Sequence, residues 1–384
     1  MKIGIVTIIG EYNYGNLLQS YALQTTLQRL GHKPITFNRR RKSPPITLHI
    51  IRIISYLRSL ISRYIFGRNN RLIVNPFSET YNPKSYTDKT ELERFVKEYI
   101  KRTKPLRSTQ AMQKYAKDEC FDVIIVGSDQ TWREGFVESI EEMFLSFLPN
   151  NSNEKRIAYA ASFGMDEDYI TQEKMPVCID LIKKFDAVSV REKSAVNICK
   201  DKFNIKATHV LDPTMLLVAE DYKKIINQYP ISSKNKGDLL VYVLDNTNNI
   251  NQTIEYITAQ NNLISFNVNI ARVYNNKSYA YKYPPVEHWL KGFNDAKYVI
   301  TDSFHGTVFS IIFNKPFICL GNAARGSARF DSLLEMFGLK NRLVDDYSKI
   351  EEIMNTPIEW KRVNYILNEK RKEAIDFLQK TLCH

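Results

Sequence analysis

The stretch from residue 295 to residue 321 constrains the fold of this chain more than any other. An apolar run over Tyr298–Ile300 stops at a polar turn, residues 301–306. A helix-like apolar segment, Val308–Phe313, follows, and Phe317–Leu320 has the pattern of another short strand. A strand that ends in a polar turn and continues into a helix is typical of an open parallel sheet, whose ligand crevice lies at the carboxyl ends of the strands. The sequence therefore predicts an α/β fold with a binding crevice near this turn.

His305 lies in that polar turn, next to Ser303 and Gly306. A helix N-terminus offers free backbone N–H groups and the positive end of a dipole to an anion. An imidazole placed there is a candidate acid or base. A histidine at a strand end can equally be an inert hydrogen-bonded residue, so the turn alone leaves both interpretations open.

The length of the chain, 384 residues, predicts two domains because one hydrophobic core rarely serves so many residues. The opening, residues 2–37, has a β-α-β pattern, and a second series of alternating strands and helices begins near Gly237. We predict a domain over residues 1–220 and another over residues 221–384. The expected architecture is two Rossmann-like domains facing a cleft, as in GT-B enzymes, with a C-terminal helical tail.

The positive charge of the chain is concentrated in one block. The net charge is +12, and no acidic residue occurs between Glu11 and Glu79, although eleven Lys and Arg do. Within this block, the segment near residues 48–67 has the period of an amphipathic helix. Such a helix can lie in the interface of an anionic membrane, or its apolar stripe can pack on the N-terminal domain while its arginines are solvated. The sequence leaves both interpretations open.

Other function classes receive less support. The basic block could indicate a nucleic-acid-binding protein, but no RRM, KH or zinc motif occurs and the block lies outside the polar loops. Five scattered cysteines without a CxxC pair are typical of a reducing cytoplasm. We therefore expect a cytoplasmic protein, with peripheral contact at the inner face of the cell membrane as the open alternative.

Polar residues follow other predicted strands at the same sheet edge. Asn16 opens the first helix, and Ser128, Asp129 and Gln130 follow the apolar strand at 121–126. These residues, together with Ser303 of the polar turn after the strand at 298–300, are candidates for substrate binding. The structural alternatives are a helix cap for Asn16 and a turn with an Asp cap for Ser128, Asp129 and Gln130.

Three arginines are candidates for anion binding. Arg191 directly follows a predicted strand, and its guanidinium could grip a carboxylate or phosphate with two hydrogen bonds. Arg325 and Arg329 follow the strand at 317–320 in a Gly- and Ala-rich loop. An ion pair with Glu192 is the alternative for Arg191, and a solvated surface position is the alternative for the other two. No HExxH motif occurs, and we predict a mechanism without a metal.

Six segments, taken in order over roughly the first 340 residues, resemble the polysaccharide pyruvyl transferase family. They are Asn16–Gln24 (NLLQSYALQ), Val126–Trp132 (VGSDQTW), Tyr159–Gly164 (YAASFG), Ser189–Glu192 (SVRE), Leu211–Thr214 (LDPT) and Thr301–Gly306 (TDSFHG). No segment is specific by itself, whereas the ordered set is.

The resemblance implies a GT-B-like enzyme that transfers a pyruvyl group from phosphoenolpyruvate to a sugar of a surface polysaccharide or its lipid-linked precursor. The product would be a pyruvate ketal, and no cofactor is implied. Arg191 matches the family arginine implicated in holding the donor, and His305 matches the histidine implicated in catalysis. Arg325 lies where the family often has a basic residue.

One departure from the family pattern concerns the acceptor. Asp129 and Gln130 stand where many members have a Gly-rich loop, which indicates a different acceptor. A GT-B glycosyltransferase using a nucleotide sugar remains the alternative enzyme, since fold does not fix function.

Overall fold

Two parallel β-sheets organise the chain in the computed structural model. The structure describes residues 1–8, 13–68, 73–77, 81–82, 85–167, 170–230, 237–245, 247–269, 271–275, 278–321, 328–344 and 349–383.

The strands, in chain order, are β1 Lys2–Val6, β2 Lys33–Thr36, β3 Ser85–Asp88, β4 Val123–Val126, β5 Lys155–Ala161, β6 Ala187–Val190, β7 Thr208–His209, β8 Leu239–Tyr242, β9 Ser265–Phe266, β10 Ala271–Asn275, β11 Ser278–Lys282, β12 Tyr298–Thr301, β13 Phe317–Leu320 and β14 Leu343–Val344.

The helices are α1 Tyr14–Arg29, α2 Ile46–Tyr64, α3 Thr90–Tyr99, α4 Thr109–Glu119, α5 Ile140–Met143, α6 Met175–Ile182, α7 Lys193–Asp201, α8 Ala219–Gln228, α9 Asn248–Gln260, α10 Val286–Asp295, α11 Phe304–Ile312, α12 Ala328–Phe337, α13 Ile350–Asn355 and α14 Trp360–Cys383.

Each large sheet is built from one half of the chain. The first has the order β2-β1-β4-β5-β6-β7 and the second β14-β13-β12-β8-β9, with parallel pairing throughout. Their central strands are continuous apolar runs such as VIIV in β4, because helices cover both faces of a parallel sheet. The predicted α/β, GT-B-like fold class is thus confirmed. The predicted division at residue 220 falls between the two sheets, and its position stays a prediction.

A small third sheet joins the two halves. Strand β3 pairs in parallel with β11, which forms an antiparallel hairpin with β10. The sequence analysis did not identify this sheet. The three strands are short, and β3 and β11 lie far apart in the chain.

The C-terminal tail is helical and spans both halves of the protein. Early in α14, Val363 and Leu367 join the core of the second half. Later in α14, Leu378 and Leu382 pack with Ile3 and other residues of the first sheet. The helix α14 therefore packs on a face of the first sheet.

Two helix starts differ from the predicted positions for a local reason. Helix α11 begins at Phe304 rather than Val308, because the Ser303 hydroxyl accepts a hydrogen bond from the backbone N–H of Gly306 (3.3 Å). Helix α1 begins at Tyr14 because Asn13 caps it. Asn16 is consequently not the cap. Within the described ranges, no helix combines the length and apolar character needed to cross a bilayer.

Candidate functional site

The candidate site lies where the N-termini of two helices from different halves of the chain meet. Helix α1 follows β1 of the first sheet, and α11 follows β12 of the second. At their contact, a Cβ atom added to Gly15 would lie 2.0 Å from Nδ1 of His305, so only glycine fits here. The two sheets therefore present the backbone start of α1 and the imidazole side by side.

The turn that carries His305 is held by hydrogen bonds to the neighbouring strand and loop. The Thr301 hydroxyl donates to the carbonyl of Tyr242 (2.7 Å). The Asp302 carboxylate accepts from the backbone N–H groups of Leu244 (2.8 Å) and Asp245 (2.9 Å). This network fixes the position of the imidazole before any ligand binds.

Asp212 is the buried hub of the site. Its carboxylate accepts hydrogen bonds from Arg191 Nη1 (2.9 Å), Ser128 Oγ (3.1 Å), and the backbone N–H (3.0 Å) and hydroxyl (2.7 Å) of Thr214. Oδ2 of Asp212, the oxygen that accepts from Arg191 and Ser128, lies 3.7 Å from His305 Nε2. Burial alone would raise the pKa of Asp212, but the interactions with His305, Arg191 and Thr214 hold it well below its usual value. Asp212 is therefore a fixed anion facing the imidazole.

Arg191 is fully buried and uses its donors on protein acceptors. Its Nε donates to Glu192 (3.2 Å) and its Nη2 to the Ser162 hydroxyl (3.2 Å), and Nη2 lies 3.5 Å from Asp129 Oδ1. The face of the guanidinium lies 4.4 Å from the centroid of the Phe304 ring. In this conformation Arg191 orients the buried carboxylates around it. The role in holding the donor directly, which the family resemblance implies, stays a prediction.

Arg329 extends the site from the second half of the chain. It is half-buried in α12, and its guanidinium lies 5.9 Å from the centroid of the Phe304 ring. Burial, and then repulsion from Arg191, lower the pKa of Arg329 to about 10. A cation held near another cation favours a bound anion. Arg325, the other predicted arginine of this segment, lies outside the described residues.

The loop after β4 divides its side chains between two environments. Ser128 and Asp129 contact the Asp212 and Arg191 cluster, and Asp129 adopts a φ of 75°. The Gln130 side chain instead accepts a hydrogen bond from Arg133 (2.7 Å). Ser128 and Asp129 are thus brought together with His305, whereas the described side-chain contacts of Gln130 lie elsewhere.

Helix α1 presents buried polar atoms near the site. Among the described residues, Oδ1 of Asn16, Oε1 of Gln19 and the hydroxyl of Ser20 have no hydrogen-bond partner. Gln19 Nε2 donates to Thr7, whose hydroxyl donates to the carbonyl of Ser128 (2.9 Å). Buried polar groups are normally satisfied, so these acceptors indicate a ligand or water position beside α1.

The sequence analysis missed part of this constellation. Asp212 occurred in the LDPT segment but was not chosen as a site residue, and Gly15 and Phe304 were not chosen either. The signal for Asp212 was its position directly after an apolar segment with the pattern of a strand, which is also what marked Arg191. Within the described ranges, no three His, Cys, Asp or Glu side chains are grouped as ligands of a metal ion.

Comparison with known proteins identifies relatives of the chain. A family model described as polysaccharide pyruvyl transferase matches residues 13–323. None of the curated proteins gives a significant match.

Among solved structures, the UDP-GlcNAc 2-epimerase from Neisseria meningitidis bound to UDP-GlcNAc is 12% identical, with full coverage of both chains and a TM-score of 0.51. The UDP-GlcNAc 2-epimerase from Methanocaldococcus jannaschii is 13% identical, with a TM-score of 0.50, and the match covers 94% of this chain and 95% of that one. At this identity the likeness concerns the fold alone.

Proposed function

Because the chain belongs to the polysaccharide pyruvyl transferase family, we propose that it transfers a pyruvyl group from phosphoenolpyruvate to a sugar of a polysaccharide or of its precursor. The observation that carries this proposal is the position of His305, held between two helix N-termini with a buried carboxylate 3.7 Å from its Nε2. Phosphoenolpyruvate carries a phosphate and a carboxylate, and helix N-termini and arginines are suited to both groups.

The proposed reaction needs one acid, one base and no redox step. A proton added to the vinyl CH₂ of phosphoenolpyruvate creates an oxocarbenium-like centre at C2. A sugar hydroxyl attacks C2 and loses its proton, forming the first C–O bond. The C2–O bond to phosphate then breaks, and a second hydroxyl attacks the same carbon with loss of its proton. The products are the pyruvate ketal and inorganic phosphate.

His305 is the side chain we propose for proton transfer in this sequence. Its Nε2 is buried and has no hydrogen-bond partner among the described residues. Asp212, whose Oδ2 lies 3.7 Å from this nitrogen, can neutralise the charge that the imidazole gains when it takes a proton. Either the vinyl protonation or the deprotonation of the sugar hydroxyl suits this arrangement.

In our proposal the arginines of the site have two roles, binding the donor and holding the buried carboxylates in place. Arg329, together with the predicted Arg325, binds the anionic groups of the donor. Arg191 holds Asp212, Glu192 and Asp129 in place, because its donors already serve these groups and Ser162. Asn16 contributes an acceptor for a substrate hydroxyl, and Ser303 contributes the cap that fixes the turn.

The first test compares donors. Purified protein is incubated with labelled phosphoenolpyruvate or labelled nucleotide sugars and a panel of free and lipid-linked oligosaccharides. We expect phosphate release and label transfer from phosphoenolpyruvate only. Transfer from a nucleotide sugar would instead support the glycosyltransferase alternative.

The second test removes the imidazole. His305→Gln should retain the fold and lose turnover by about 10²-fold or more, the usual contribution of a positioned acid or base. His32→Gln, at a half-buried position on the turn that follows α1, is the matched control and should keep full activity. A folded His305→Gln protein with near-normal turnover would contradict the assigned role.

A further inference from the structure

Helix α2 is oriented with its apolar stripe toward solvent. The stripe consists of Ile50, Ile54, Leu57, Ile61 and Tyr64, which recur every three or four residues and are between 44% and 76% exposed. The only buried residue of the helix is Ser59, about half a turn of the helical wheel away from the stripe. In a surface helix of a globular protein the apolar stripe normally faces the core, so this arrangement is inverted.

The inner face of α2 is already occupied. Arg52 lies over the ring of Tyr81 (5.1 Å), and His49 lies 5.8 Å from the ring of Phe77. The half-polar face of the helix therefore packs on the described segments 73–77 and 81–82. The helix cannot turn its stripe inward without breaking these contacts.

Exposed cations flank the stripe. Arg58 and Arg63 lie on the helix, and Lys42 and Arg68 lie before and after it, all exposed. No acidic residue occurs between Glu11 and Glu79 to neutralise them. A contiguous exposed apolar surface of this kind marks an interaction site, and the charges indicate an anionic partner.

The arginines of the basic block differ in whether they pair with an acidic side chain. Arg39 forms an internal ion pair with Glu142 (2.7 Å), and Arg41 pairs with Glu138 (2.6 Å). Arg39, with 13% of its side chain exposed, is therefore structural, whereas Arg41 is 83% exposed and stays available to a partner together with the cations beside the stripe. The structure thus separates the residues that the sequence could only count together.

We propose that α2 docks on the surface of an anionic lipid bilayer, with the stripe in the acyl boundary and the arginines at the headgroups. A helix with an apolar face and flanking cations has the chemistry of an interfacial membrane helix. A second copy of the chain fits less well, because it would bring two exclusively cationic helices together. An anionic bilayer satisfies both the apolar stripe and the charges.

The pairing of β1 and β2 indicates the edge of the first sheet from which the chain leads to α2. Strands β1 and β2 are parallel neighbours, so the chain leaves β2 toward α2 at the same sheet edge from which β1 leads to Gly15. The chain therefore starts toward α2 from the side of the first sheet that carries the candidate site.

The test uses the full chain and vesicles. We expect co-sedimentation with phosphatidylglycerol and phosphatidylcholine vesicles at low salt, weakened by high salt, and little binding to pure phosphatidylcholine. The variant Ile54→Ser/Leu57→Ser/Ile61→Ser should lower the partition coefficient at least about tenfold. Each of Arg58→Gln and Arg63→Gln should lower it about fivefold.

The control variants distinguish docking through the stripe from non-specific adsorption through other exposed apolar residues. Ile264 and Val177 are exposed apolar residues elsewhere, 62% and 48% exposed, and Ile264→Ser/Val177→Ser should bind vesicles normally. The tryptophan introduced by Leu57→Trp should shift its emission maximum to shorter wavelength when anionic vesicles are added. The proposal is overturned by a protein that stays in solution with anionic vesicles at low salt, or by a stripe variant that binds unchanged. It is also overturned if sedimentation shows a dimer that the stripe variant abolishes. None of these outcomes depends on turnover of phosphoenolpyruvate.

Discussion

The contact between Gly15 and His305 predicts the effect of a single methyl group. In Gly15→Ala, the new Cβ would lie 2.0, 2.4 and 2.5 Å from three atoms of the imidazole. Ordinary van der Waals contact begins near 3.4 Å, so the ring or the helix must move by about 1.4 Å, the difference between 3.4 and 2.0. Overpacking of this kind costs about 1–3 kcal/mol, partly offset by a preference for Ala over Gly in a helix of about 0.5–1 kcal/mol. We expect a net loss of about 1–2 kcal/mol.

A double-mutant cycle isolates this contact without requiring a substrate. The free energy of unfolding is measured in urea for the natural protein, Gly15→Ala, His305→Ala and the double variant. When the imidazole is absent, the clash is absent, so Gly15→Ala should become neutral or slightly stabilising in the His305→Ala background. The coupling between the two positions should be about 1–3 kcal/mol.

A matched glycine and an activity measurement complete the design. At Gly292 a Cβ would lie 2.6 Å from Val268 Cγ1 in the second half of the chain. Gly292→Ala should therefore destabilise the protein equally in both backgrounds. Turnover by Gly15→Ala should fall by about 10²-fold, because a displacement near 1 Å misplaces the acid or base. Equal effects of Gly15→Ala with and without His305 would refute the predicted contact.

Two further predictions concern the buried ion cluster. Asp212→Asn removes one of the three carboxylates around Arg191 and should lower the free energy of unfolding by about 1–3 kcal/mol, the cost of losing a buried hydrogen-bond partner. The folded-state pKa of Asp212 is depressed, so its contribution to stability is complete above the unfolded pKa near ~3.9 and is lost as pH falls below that value. Urea unfolding measured across this pH range should therefore show a loss of stability on acidification that Asp212→Asn lacks. Arg191→Lys keeps the charge but lacks the planar fork whose three nitrogens reach Glu192, Asp212 and Ser162, so turnover should fall about tenfold or more while calorimetric affinity for phosphoenolpyruvate changes little. A large loss of that affinity would instead favour the direct donor contact implied by the family resemblance.

Local pattern was sufficient for the parts of the fold that depend on neighbours in sequence. The strand at 317–320 was predicted at its observed bounds, and His305 follows β12 as expected, although it lies in the first turn of α11 rather than before that helix. These features depend on apolar periodicity and on capping residues a few positions away.

Features that depend on distant contacts were beyond sequence reasoning. Asp212 reaches His305 only because two strands from different sheets end at the same place, and nothing in LDPT indicates that partner. The amphipathic period of α2 predicted a stripe but not which way it faces, because that depends on contacts with the segments 73–77 and 81–82. The burial of Arg191 against Phe304 likewise follows from the meeting of two halves, which the periodicity of either half does not encode.

The position of α14 has a consequence for synthesis on the ribosome. Ile3, Ile5, Val123, Ile125 and Ile157 form one apolar cluster with Ala374, Leu378 and Leu382 of α14. These residues of the first sheet are all made by position 157, and the first of the three α14 residues is Ala374, which follows 217 residues later (374 minus 157). At a rate of synthesis of roughly 5–20 residues per second, about 10–45 s pass before α14 can pack on this face. A nascent chain of this protein therefore carries a sheet face that α1 covers in part, through Leu23 and Leu27, until α14 has been made.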